Sequence, residues 1–315
     1  MVHIPFKMNA YIHLLTTRVV LLATLVVFTP VSFAKVNVLA CEAEWAALAH
    51  AIGRNKVNIY AATTYQQDPH HIQARPSLIA QARKADLLVC SGADLEIGWL
   101  PVLLRKSGNP KIQLGKPGYF MATEQVELLE EKNAVDRSHG DVHAAGNPHI
   151  HLDPSIMLKV GAALANRLAI IDKKNELFYL HNYQKLDEQF KQQLDKWQKI
   201  IAQLKQRKVI SHHNSWVYLF AWLDMQQVAT LEPKPGLPPT TKHLTKLLKL
   251  TKTVQVSYIL AASYQSKKAS QWLGNKADIA QVYLPYSPKN WQEKDALINW
   301  YSTILHLLVA PLQNK

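Results

Sequence analysis

Apolar positions follow two rhythms along this chain, short strand-like runs and longer stretches with three- and four-residue spacing. Residues 35–40, 57–60 and 86–90 are short apolar runs that read as strands. Between them, residues 42–52 place Trp45, Leu48, Ala49 and Ile52 on one helical stripe, and 77–85 reads as a short helix with Ser77 as its cap after Pro76. A helix over 95–106 follows, interrupted at Pro101. Residues 108–154 are rich in Gly, Asn and His and predict loops and short strands, and helix returns over 154–171. The longest periodic segment is 175–206, with Tyr183, Leu186, Phe190, Leu194, Trp197, Ile201 and Leu204 on one face; it is longer than a typical globular helix. A second series then begins, with strands at 208–211, 228–232, 254–260 and 279–284. Helices at 216–223, 241–249, 265–273 and 295–309 alternate with them, and the loop 234–240 is stiffened by proline.

Strand alternating with helix predicts parallel sheets covered on both faces. The expected fold class is α/β, with two lobes, each a parallel-sheet α/β sandwich, joined by one long rigid helix. The expected limits are 35–174 for the first lobe, 175–206 for the linker helix and 207–315 for the second lobe. Residues 1–34 are set apart as a signal peptide. Arg18 precedes the apolar run 19–28, and Ser32 and Ala34 supply the small residues of a cleavage site. The run is too short to span a membrane, and Met8 is an alternative start. Export to the periplasm follows as an expectation.

Charge narrows the functional classes. The chain carries a formal net charge of +13. The lysines are scattered over helix surfaces, and an exported protein has no nucleic acid to meet, so nucleic acid is not the expected partner. There is no Walker loop, dinucleotide fingerprint, serine elbow or HExxH segment, so the chain is not expected to be an enzyme. Two cysteines, Cys41 and Cys90, each end a short apolar run. Either a disulfide between neighbouring strands or two buried thiols fits that placement.

The fourteen histidines carry the most information, through their positions. Three clusters sit at expected strand ends and loops: Asp68-Pro69-His70-His71, Asn147-Pro148-His149-Ile150-His151 and His212-His213-Asn214. Parallel α/β sheets bind ligands at the carboxyl ends of their strands, and neutral imidazole is a good zinc donor. The clusters are far apart in sequence, so only folding can make one site of them, with two clusters from the first lobe and one from the second.

In this setting four segments resemble a known family. They are the DPH of Asp68 to His70 with the Pro76-Ser77 pair, ADLLVCSGADLEIGWLP from Ala85, NPHIHLDP from Asn147 and HHNSWVYLF from His212. In this order they resemble the periplasmic solute-binding proteins of metal-importing ABC transporters, the zinc and manganese binders, over essentially the whole mature chain. The resemblance implies that His70, His149 and His213 are the metal ligands, in a cleft between the lobes. It implies a cargo of Zn2+ ahead of Mn2+, a monomer, and delivery to an inner-membrane permease driven by a cytoplasmic ATPase. The alternatives kept beside this reading are binding of manganese or another divalent metal, a zinc-dependent periplasmic hydrolase, and an adhesin-like protein. The family's usual fourth ligand, a carboxylate after the last strand of the second lobe, is replaced here by Leu284. Water, Glu44, His151 or Glu232 are the candidates to fill that position. The loop from His139 to His143 reads either as a weak zinc recruiter or as a solvated loop.

Overall fold

The computed structural model describes residues 34–131, 141 and 143–313. The signal segment up to residue 33, and His139 of the histidine loop, lie outside the described residues. The first sheet is built from β1 (Val36–Ala40), β2 (Val57–Ala61), β3 (Leu87–Cys90) and β4 (Tyr119–Met121), in the order β2-β1-β3-β4. The second uses β5 (Lys208–Ser211), β6 (Gln226–Thr230), β7 (Tyr258–Ala262) and β8 (Ala280–Leu284), in the order β6-β5-β7-β8. All six strand pairings among the described residues are parallel. Parallel pairing requires crossovers, and helices supply most of them: α1 (Ala43–Gly53), α2 (Pro76–Lys84) and α3 (Leu100–Ser107) in the first lobe, α6 (Val217–Leu223), α7 (Thr241–Leu250) and α8 (Lys268–Ala277) in the second. Between the sheets run α4 (Pro154–Ile171) and α5 (Glu176–Ala202), and α9 (Ala296–Gln313) follows β8. The chain is therefore two α/β sandwich lobes joined by a long helix.

Strand periodicity explains how the layers stack. On β3, Leu87 and Val89 face a central apolar cluster while Leu88 and Cys90 face an outer one. On β7, Tyr258, Leu260 and Ala262 face the central cluster and Ile259 an outer one. Successive strand residues point to opposite faces, so each sheet is buried on both sides, which is why β3 reads as an unbroken apolar run. The central cluster is shared. It runs from Trp45 and Leu48 in α1 through Phe190 and Trp197 in α5 to Tyr301 and Leu305 in α9.

Helix α5 ties the lobes. At 27 residues it is about 40 Å long. Tyr179, Leu186, Phe190, Trp197 and Ile201 form its buried stripe, each burial contributing about 1.5–3 kcal/mol. Towards the first lobe, Asn182 Nδ2 donates to the Ile52 carbonyl at 2.9 Å. Towards the second, the Phe190 and Trp197 rings meet Tyr301 at 5.9 and 6.1 Å. A continuous packed core through both lobes transmits strain and resists a wide hinge.

Several element boundaries differ from expectation. Pro101 opens α3 within its first turn instead of interrupting a longer helix, because its fixed φ suits a helix start and its missing N–H is not needed there. Helix α2 starts at Pro76, so Ser77 is inside the first turn and is not the cap; its hydroxyl accepts from Arg75 Nε at 3.1 Å. Strand β7 begins at Tyr258, four residues later than the apolar alternation, since its partner β5 offers a ladder only from there. Cys41 and Cys90 form a disulfide across the ends of the paired strands β1 and β3, with Cα atoms 4.8 Å apart.

Candidate metal centre

Each histidine cluster is delivered by a different loop. The segment after β2 carries His70. Asp68 Oδ1 accepts from the His70 backbone N–H at 3.0 Å and from its ring Nδ1 at 2.7 Å. Trp99, fully packed, pins the loop by donating from Nε1 to the Pro69 carbonyl at 2.9 Å. Burial alone would raise the Asp68 carboxyl, but its bond to His70 outweighs that and holds it below the ordinary range.

His149 is positioned by Asn147, whose Oδ1 accepts the His149 N–H at 3.1 Å. Asn147 Nδ2 in turn donates to the Asn214 carbonyl of the second lobe at 3.0 Å, so it bridges the cleft. A single 3-10 turn, Ile150–Leu152, follows, and Asp153 caps α4 by accepting from Ser155 N at 2.7 Å. His149 is 1% exposed, and neither ring nitrogen has a hydrogen-bond partner among the described residues. Burial, and after it the neighbouring imidazoles, holds His149 well below the ordinary histidine range, so it stays neutral and able to donate a lone pair.

His213 follows β5. Ser211 Oγ donates to its carbonyl at 2.9 Å. Glu232, just past β6, receives the ring Nδ1 on Oε2 at 2.7 Å and the Gly236 N–H at 2.8 Å. Glu232 is thus committed to orienting His213. A carboxylate on the outer nitrogen fixes the ring and raises its basicity towards a metal. Asp68 does the same for His70, so both rings turn Nε2 into the cleft.

The three rings converge. Ring centroids are 5.5 Å apart for His70 and His149, 5.7 Å for His70 and His213, and 6.2 Å for His149 and His213. One ligand atom from each lies within 4.8 Å of the others. A tetrahedral zinc site with bonds of 2.0–2.1 Å needs edges of roughly 3.3 Å, so a small inward movement of the side chains completes the fit. Both ring nitrogens of His149 are buried without a partner among the described residues, and the one that carries the lone pair is a donor that a metal ion could satisfy.

His151, Glu44 and Glu232 do not join this group. His151 is fully buried, stacks on Trp300 at 5.9 Å and contacts the Tyr286 carbonyl through Nε2 at 3.2 Å. Its Nδ1 faces Glu44 Oε1 at 3.4 Å. Burial pushes His151 down to about 3 and Glu44 up to about 8, so at neutral pH a neutral imidazole faces a neutral acid. Sequence spacing carried no signal for this pair, whose members lie in different segments.

Glu44 belongs to a buried trio with Glu42 and Glu96, beneath the disulfide. Glu96 accepts the Ser91 N–H at 2.8 Å, and Ser91 Oγ donates to Glu42 at 3.1 Å. Burial raises all three carboxyls, Glu96 to about 7, and mutual repulsion raises Glu42 further. The sign of the pH effect follows. An unfolded Glu releases its proton near 4.3, while folded Glu96 and Glu44 keep theirs to about pH 7 and about pH 8. Between those limits the folded state binds more protons, and stability falls as pH rises. Above pH 7 the depressed His149 and His151 are neutral in both states and add little slope, so the melting temperature of the metal-free protein is expected to decline from pH 7 to pH 8.5, and Glu44→Gln to flatten that decline. A wild-type melting temperature that rises over this range would contradict the assignment.

Two α/β lobes tied by one long helix, with imidazoles converging from both, define a metal-capturing solute-binding protein. The chain belongs to the family described as zinc-uptake complex component A, periplasmic (ZnuA), whose model matches residues 38–310. Its relatives include the manganese ABC transporter substrate-binding lipoprotein PsaA of Streptococcus mitis, 22% identical over 84% of this chain and 85% of that one. The iron ABC transporter substrate-binding lipoprotein MtsA of Streptococcus pyogenes serotype M1 is 20% identical over 78% and 77%. The fold matches the crystal structure of ZnuA with a TM-score of 0.70 at 20% identity, covering 87% of this chain and 99% of that one. It matches the solute-binding protein FpvC of Pseudomonas aeruginosa in complex with Mn2+ equally, with a TM-score of 0.70 at 17% identity over 89% and 99%. The chain is accordingly a periplasmic metal-binding component of an ABC-type uptake system and not an enzyme. It binds its ion as a monomer and works with a membrane permease and ATPase.

Proposed function

We propose that this protein captures zinc through His70, His149 and His213 and hands it to the permease. Residues 35–174 and 207–315 act as the lobes that draw in on the ion, and 175–206 is the linker that limits their movement. The observation that supports this most is the convergence of three ring nitrogens within 4.8 Å from three separate loops. The donor chemistry argues for zinc. The nearby carboxylates of Asp68 and Glu232 are spent on the outer nitrogens of His70 and His213, so the face offered to the ion is nitrogen. Imidazole suits zinc, whereas manganese prefers carboxylate, carbonyl and water oxygen.

A second reading, manganese or iron, is favoured by the relatives that carry those metals in their names. Competition titration separates the two. Zinc is expected to displace manganese from the purified protein with at least a roughly 100-fold preference at neutral pH. Equal affinity, or a preference for manganese or ferrous iron, would favour the second reading.

A further inference from the structure

The three-histidine set leaves one coordination position unfilled. Leu284, the last residue of β8, is fully buried in the central apolar cluster and brings no donor. Glu232 is held by His213, and Glu44 and His151 face one another. One further imidazole approaches His70 and His149 from outside the group whose donors all lie within 4.8 Å of one another. His143 lies on the segment between β4 and α4, and its Nε2 is 3.4 Å from Nε2 of His70. Its ring centroid is 5.5 Å from His70 and 6.1 Å from His149, the same spacing the three rings keep among themselves. Because the Nδ1–H of His70 donates to Asp68, the atom that His143 approaches is the His70 lone-pair nitrogen. A separation of 3.4 Å equals the edge of a tetrahedral zinc–nitrogen site, roughly 3.3 Å.

Described residues near His143 contact both lobes. Leu129 N donates to Tyr218 Oη at 2.9 Å, and Glu130 Oε2 accepts from Asn214 Nδ2 at 2.9 Å, both in the second lobe. Asp141 N donates to the Pro235 carbonyl at 3.0 Å, and the Asp141 carboxylate faces His71 Nε2 of the first lobe at 3.7 Å. Between these ties His143, His149 and His213 line a small cavity together with the carboxylates Glu130 and Asp141.

We propose that His143 is the fourth protein ligand, replacing the carboxylate that Leu284 displaces and making a four-imidazole centre. The proposal rests on the three-histidine reading above. A fourth nitrogen biases the site further towards zinc and the borderline metals cobalt, nickel and copper, and away from manganese.

The test compares wild type, His143→Ala and His149→Ala, each titrated with zinc against a chromophoric chelator and each loaded with cobalt. His143→Ala is expected to lower zinc affinity roughly 10- to 100-fold. It should also change the visible d–d spectrum of the cobalt protein as water replaces the imidazole, with the manganese affinity moving less. Native zinc affinity in His143→Ala, or reduced affinity with an unchanged cobalt spectrum, overturns the proposal, the second because the residue would then act only by holding the loop. His149→Ala separates this from the underlying reading. If it loses zinc while His143→Ala does not, only the fourth ligand is wrong; if it also binds natively, the three-histidine centre is wrong too.

Discussion

His149→Ala is expected to abolish useful zinc binding while leaving the protein folded. Binding free energies of about 10–16 kcal/mol spread over four ligands make each worth about 3 kcal/mol, or roughly 100-fold in affinity. His149 should exceed that share. It is the most deeply buried of the three, it has no competing hydrogen bond, and burial holds it neutral. His70→Ala and His213→Ala are expected to lose roughly 100-fold or more each. The fold persists because all three residues lie outside the helices and strands of the core. Glu232→Gln and Asp68→Asn keep the ligands but weaken their orientation, with a loss of roughly 10- to 100-fold. Calorimetry on the five variants measures the series. Native affinity in any histidine variant removes that residue from the centre, and a larger loss for Glu232→Gln than for His213→Ala would make Glu232 the ligand.

The second large effect concerns the disulfide and is one of stability. Cys41 and Cys90 are 49 residues apart, and the segment they enclose contains β2, the His70 loop and α2. Closing a loop of that length removes unfolded-state entropy worth roughly 4 kcal/mol. The double variant Cys41→Ala, Cys90→Ala is expected to lose about that much in guanidinium denaturation of the metal-free protein under oxidising conditions. Wild type treated with a dithiol reductant should move to the same midpoint. A loss under about 1 kcal/mol would mean that packing of Cys41 and Cys90 in the outer core, not the covalent link, carries the stability of this edge.

Much of this architecture is legible in the order of residues, and the part that is not has a physical reason. Seven of the eight strands described and the linker helix announce themselves through periodicity, because burial on both faces of a sheet makes runs such as Leu87 to Cys90 wholly apolar; β4, three residues long, is lost in a stretch that reads only as loops and short strands. Boundaries are less visible where a partner decides them, as at Tyr258, or where proline has two readings, as at Pro101. The candidate ligand histidines stand out because each follows a strand or turn in a polar segment. Their orienting groups do not stand out equally. Asp68 is two residues from His70 and could have been read as its partner from spacing alone. Glu232 was visible only as an acid near the cleft, since its contact with His213 depends on β5 and β6 being neighbours. The pairing of His151 with Glu44 and the approach of His143 to His70 are products of folding, and no local pattern encodes either.

The most direct test of the central claim is a crystal structure of the zinc-loaded protein with diffraction recorded on both sides of the zinc absorption edge. The account predicts one strong anomalous peak in the cleft, roughly 2.0–2.1 Å from a ring nitrogen of each of His70, His149 and His213. A peak elsewhere, or one in the cleft that lacks any of these three nitrogens, would contradict it.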